Sequence, residues 1–136
     1  MRMVRMLAVL ALALAPAIAP AQRQASGDRV ERVRFAPGAS AQTVQGRIRG
    51  YQTVTYVVGA RAGQVMDLRL QSRSRFLYVL VRRPGSDENI HDGALQGNDG
   101  QVRLPATGDY RVRVFLFRNA ARRNETGDYR LRISIN

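Results

Sequence analysis

Between Leu116 and Thr126 the sequence sets three arginines, Arg118, Arg122 and Arg123, among two asparagines, Asn119 and Asn124. A guanidinium is a planar fork of N–H donors that grips a carboxylate through two parallel hydrogen bonds. Carried on a projecting turn, the three arginines have the chemistry to enter a cleft lined with acidic groups. Asn119 and Asn124 have the side chains to brace that turn by bonding its own backbone. Residue type alone leaves two readings open, an anion clamp and an exposed polar connection.

Catalytic chemistry has little to work with. The one histidine, His91, stands in the segment Ser86–Asp92 among carboxylates. It is read as a solvated side chain rather than a base or ligand. Calcium would draw on Asp87, Glu88, Asn89 and Asp92, or on Asn98 and Asp99, but neither run follows a calcium-loop spacing. No pair of carboxylates is marked for glycoside hydrolysis. The sequence therefore reads as a non-enzyme with no cofactor and no metal.

The elements that must position the arginines are legible. Thr-Gly-Asp-Tyr occurs at 107–110 and again at 126–129, and each copy opens an alternating segment. Tyr110, Val112, Val114 and Leu116 share one face, with Arg111 and Arg113 on the other. Tyr129, Leu131, Ile133 and Ile135 likewise oppose Arg130, Arg132 and Ser134. Period-two alternation marks half-buried strands, and each Thr-Gly-Asp is expected to be a tight turn. A hairpin needs only about two to five connecting residues, so the longer stretch from Arg118 to Glu125 suggests a loop kept for contact.

Further strands are expected at Val30–Phe35, Thr43–Arg49, Tyr51–Val58, Gln64–Gln71, Phe76–Val81 (a central strand) and Val102–Leu104, with 84–100 irregular. No long amphipathic helix follows the leader. The expected fold is all-β, a single antiparallel β-sandwich domain of seven to eight strands.

Residues 1–21 read as a Sec-type signal peptide. Arg2 and Arg5 precede the apolar run Met6–Leu14, and Ala19-Pro20-Ala21 offers small residues for cleavage. A flexible tail, 22–29, would lead into the sandwich, 30–136. The expected location is the periplasm or the exterior, with no stable membrane insertion. No cysteine is present to staple the fold or carry a lipid. The formal net charge is +12, and every basic residue is arginine. Attraction to anions is one reading. The alternation of arginine with core residues favours the other, arginine spread over solvent-facing strand positions. Export and the lack of a recognition-helix or aromatic-basic pattern argue against nucleic acid.

The chain resembles the periplasmic inhibitors of g-type (goose-type) lysozyme. The likeness runs through Val33-Arg34-Phe35, Gly46-Arg47-Ile48-Arg49-Gly50-Tyr51, Tyr56 and Ala62-Gly63-Gln64. Its most specific part is Leu104-Pro105-Ala106-Thr107-Gly108-Asp109-Tyr110 with Arg111-Val112-Arg113-Val114, then Arg118-Asn119-Ala120-Ala121-Arg122-Arg123-Asn124. Little correspondence is seen over roughly 72–98. Thr107 stands where the family usually has Ser, keeping the hydroxyl. The Gly-Tyr and Leu-Pro-x-Thr-Gly-x-Tyr parts also resemble the broader pre-peptidase C-terminal β-sandwich modules.

The resemblance implies a sandwich that blocks g-type lysozyme by inserting loops into its cleft. Arg118 and Arg122 would clamp anionic groups, Tyr51 would add an aromatic contact, and Asn119 and Arg123 would join the binding loop. Thr107–Tyr110 would set the start of the preceding strand, with Tyr110 itself structural. The alternative is a secreted or envelope module of the pre-peptidase C-terminal type that recognises an anionic glycan or protein.

Overall fold

The computed structural model describes residues 27–136. The signal peptide expected at 1–21, and the tail as far as residue 26, lie outside the described residues. Nine strands form: β1 (Asp28–Arg32), β2 (Ala41–Arg49), β3 (Thr53–Ala60), β4 (Val65–Ser72), β5 (Leu77–Arg82), β6 (Asn89–Asp92), β7 (Gly100–Arg103), β8 (Gly108–Leu116) and β9 (Thr126–Ile135). Two short helices, α1 (Gly93–Gln96) and α2 (Arg118–Arg122), complete the described fold.

The strands make two sheets, ordered β1-β3-β8-β5-β6 and β2-β9-β4-β7. The all-β sandwich is as expected, with corrections of detail. Nine strands form among the described residues rather than seven to eight, because the short polar β6 carries too little alternation to be seen in the sequence. β1 begins at Asp28, two residues inside the expected tail, and runs parallel to β3; every other pairing is antiparallel. The region 84–100 also contains α1, whose first turn is capped by the Asp92 carboxylate accepting from Ala94 N at 3.0 Å.

The two Thr-Gly-Asp-Tyr copies lead the inner strands of the two facing sheets. β8 lies between β3 and β5, and β9 between β2 and β4. Their inward residues, Tyr110, Val112, Val114 and Leu116 against Tyr129, Leu131, Ile133 and Ile135, are all buried. Gly108 and Gly127 sit inside the strands rather than at turns; the bends come just before, at Ala106–Thr107 and Arg123–Asn124. In both copies the aspartate points outward to an arginine of the same sheet, Asp128 to one on the adjacent β2 and Asp109, over Gly59 of β3, to one on β1. Asp109 takes Arg32 at 2.7 Å and Asp128 takes Arg47 at 2.6 Å. Tyr110 is buried, its hydroxyl donating to Ala106 O at 2.5 Å and accepting from Ala106 N at 3.0 Å. Thr107 Oγ1 accepts from Ala62 N at 3.0 Å, tying this bend to the β3–β4 turn.

Candidate functional site

β8 and β9 belong to different sheets, so the chain between them has to step across the sandwich, a gap of about 10 Å. That step is the physical reason for its length. It is a turn of helix rather than an open loop: Ala121 N donates to Phe117 O at 2.9 Å, and Glu125 N donates to Ala120 O at 3.1 Å. Ala120 and Ala121 are buried and close one end of the core. Their small side chains let the helix lie against it.

The outward face carries the arginines. Arg118 and Arg122 are four residues apart, which puts them on the same side of a helix. Both are exposed, and neither has an ion-pair partner among the described residues. Asn119 Oδ1 accepts from Ala120 N at 2.7 Å, steadying the first turn. Arg123 is engaged within the molecule. It bonds Glu125 at 2.6 Å and lies 5.7 Å from the centre of the Phe76 ring, so its side chain is held back beside the helix.

Tyr51 reaches the same end from the β2–β3 turn. Gly50, at φ 60°, makes that turn, and its N–H donates to Glu125 O at 2.9 Å. Arg49 Nε donates to the Asn124 carbonyl at 3.4 Å. With its oxygen turned toward the guanidinium, the Asn124 carboxamide also accepts from Arg49 Nη2 at 3.0 Å. Asn124 takes a left-handed conformation, φ 56°, which asparagine tolerates. The Tyr51 turn is thus fastened to the end of the arginine helix.

Tyr51 is 64% exposed and Phe117 48%. Tyr51, Phe115, Leu116, Phe117 and Arg118 line a groove of about 400 Å³. A second groove of about 280 Å³ continues from Tyr51 past Phe115 to Arg113. The site is therefore aromatic as well as cationic: Tyr78 stacks near both Phe115 and Phe117, with ring centres 6.2 and 5.9 Å apart. Phe115 and Phe117 were not singled out from the sequence. Phe115 stands at an outward position of β8 and Phe117 just past its end, flanking the buried Leu116, so the three read in the sequence as one apolar run.

Other candidates resolve differently. His91 is not solvated; it is buried on β6, with Nε2 2.9 Å from Gly97 O. The acidic and amide residues considered for calcium are occupied with structural bonds. Asp99 accepts from Leu70 N at 2.9 Å, Asn98 bridges Val79 N and Leu77 O, and Asp87 faces Arg82 and Arg111. Among the described residues no cluster of three or more metal-ligating side chains occurs, and no helix is long and apolar enough to cross a membrane.

No family model matches the sequence. The inhibitor of g-type lysozyme of Escherichia coli (strain K12) is 34% identical over 114 residues, spanning 82% of this chain and 84% of that protein. The chain belongs to the family of inhibitors of g-type lysozyme. A solved member of that family, the periplasmic lysozyme inhibitor of Aeromonas hydrophila, superposes with a TM-score of 0.76 at 32% identity, covering 81% of this chain and 98% of that one. The pre-peptidase C-terminal domain of a Bacillus anthracis collagenase shares the fold at 15% identity and a TM-score of 0.54, over 80% of this chain and 96% of its own. The sandwich is thus common to both groups. The relatives that share substantial sequence are inhibitors, not enzymes, and the solved inhibitor is described as periplasmic.

Proposed function

We propose that the chain inhibits g-type lysozyme in the periplasm by presenting Arg118 and Arg122, with Tyr51 beside them, to the enzyme's substrate cleft. One observation carries this reading: the two arginines share the outward face of a helix whose other face is buried, and neither is spent on an ion pair among the described residues. A lysozyme cleft depends on a carboxylic acid that protonates the glycosidic oxygen. A guanidinium brought beside that group stabilises its ionised form, lowering its pKa, and so removes the proton the reaction needs. The same arginine fills the space of a sugar. Tyr51 and Phe117 add apolar area next to the charge, the mixture that dominates tight protein interfaces. Arg123, tied to Glu125, and Asn119, bonded to its own helix, support the loop from within.

The test is clearing of a peptidoglycan suspension by g-type lysozyme with and without residues 22–136, with c-type and i-type enzymes alongside. Protection is expected against the g-type enzyme alone. Arg118→Ala combined with Arg122→Ala is expected to raise the half-inhibitory concentration about thirtyfold or more. Undiminished inhibition by that double variant would exclude the proposed mechanism.

A further inference from the structure

The outer face of the β2-β9-β4 sheet holds a second set of arginines that the inhibitor reading does not use. Arg130 and Arg132 project from β9, about 7 Å apart along the strand. The register places Arg130 between Gln45 on β2 and Gln71 on β4, and Arg132 between Thr43 and Arg69. All six side chains are exposed. Arg130 and Arg132 have no ion-pair partner among the described residues, and Arg69 has only Asp67 at 3.6 Å.

Two like charges directly opposite on neighbouring strands cost stability. Arg69 and Arg132 are such a pair, and an anion between them would turn the repulsion into two favourable contacts. The Arg130 row opens into a shallow depression of about 560 Å³, lined by Gln45, Gln71, Arg73, Arg130 and Asp128 among others. The Asp128 carboxylate on its rim is already neutralised by Arg47 at 2.6 Å.

We propose that this sheet face binds an anionic polysaccharide, its carboxylates taken by Arg130 and Arg132 and its hydroxyls and amides by Gln45 and Gln71. The glutamines decide between kinds of anion. A carboxamide both donates and accepts, which suits a saccharide carrying both functions. A phospholipid surface offers mainly acceptors and would leave the glutamine oxygens idle. A depression likewise suits a chain laid across it better than a flat plane of headgroups. In the periplasm, where its relative is described, peptidoglycan with its carboxylate-bearing peptide stems is a polymer of this chemistry. Binding there would hold the inhibitor on the material that lysozyme attacks while leaving α2 free.

The experiment is co-sedimentation of residues 22–136 with purified peptidoglycan. Parallel arms use peptidoglycan whose carboxylates have been amidated, and vesicles of equimolar phosphatidylglycerol and phosphatidylcholine. The native protein is expected to sediment with untreated peptidoglycan, and Arg130→Gln with Arg132→Gln to bind about tenfold more weakly. Amidation is expected to weaken native binding similarly. Gln45→Ala with Gln71→Ala, which leaves charge unchanged, should weaken it about threefold. Arg118→Ala with Arg122→Ala should sediment like the native chain, and Arg130→Gln with Arg132→Gln should still inhibit g-type lysozyme, so this assignment and the inhibitor reading can fail separately. Equal sedimentation of native and Arg130→Gln/Arg132→Gln protein, indifference to the glutamine changes, binding to vesicles in place of peptidoglycan, or no sedimentation would each overturn it.

Discussion

The hydroxyl oxygens of Tyr56 and Tyr129 meet 2.6 Å apart in the buried space between the two sheets. One ring comes from β3 and the other from β9, edge to face with centres 6.4 Å apart. Each hydroxyl is thereby the partner the other needs, and the bond pins the sheets in one relative position. Tyr129 can lie there because its hydroxyl end passes over Gly46, where any Cβ would collide with it. Tyr129→Phe leaves the Tyr56 hydroxyl buried without this partner and is expected to cost about 1–3 kcal/mol. Tyr56→Phe with Tyr129→Phe should cost less than the sum of the single changes, because no lone hydroxyl remains. Denaturant unfolding of the three variants measures both.

The same pair sets an alkaline limit. Burial, then the bond to Tyr56, raises the Tyr129 pKa well above its ordinary value, and burial raises that of Tyr56. An unfolded tyrosine releases its proton near pH 10, whereas the folded pair keeps its own. The unfolded chain then binds fewer protons than the native one, so stability falls as pH rises above about 10. A Tm series from pH 8 to 11 should show this decline, and Tyr56→Phe with Tyr129→Phe should flatten it.

Gly50→Ala is expected to damage stability and inhibition together. The residue holds φ 60°, and a Cβ there would lie 2.6 Å from the Asn124 carboxamide. The left-handed backbone alone costs about 1–2 kcal/mol for an L residue. Relief would come from moving the turn that carries Tyr51 away from α2. A lowered Tm with a raised half-inhibitory concentration is the expected result.

Ala120→Leu should be felt at the arginines without touching them. Ala120 is wholly buried, and forcing added methylenes into a packed core costs about 1–3 kcal/mol. The helix can make room only by lifting from the sandwich end, which changes where Arg118 and Arg122 point. Inhibition weakened in protein that still unfolds cooperatively would show this.

His91→Ala separates structure from activity. The change removes a buried ring and its contact with Gly97 O, and is expected to cost about 1–3 kcal/mol. Inhibition of g-type lysozyme by the folded variant should equal that of the native chain. A loss of inhibition below the melting range would give His91 a direct role.

The strands with clean alternation, β4, β8 and β9 above all, were legible because each buries one face and exposes the other. Their pairing was not. Nothing in two copies of Thr-Gly-Asp-Tyr says that the strands after them lie in opposite sheets, since partner choice is settled by the whole core. α2 escaped detection because one turn of helix leaves almost no periodic signal, and its two alanines are the only trace. Burial of His91 is a tertiary fact, made by Gly100 packing against the ring. The arginines of the candidate site could be read from type and spacing. The aromatic half, Phe115 and Phe117, could not, because outward apolar residues beside Leu116 look like one continuous core segment.

The helix that crosses between the sheets divides its residues sharply by tolerance. Ala120 and Ala121 answer to the interior and can scarcely change. Arg118 and Arg122 are exposed and carry no ion pair among the described residues, so substitution there is expected to spare the scaffold. If they meet the enzyme as proposed, a lineage facing a new lysozyme can revise those two positions in small steps without first repairing its fold.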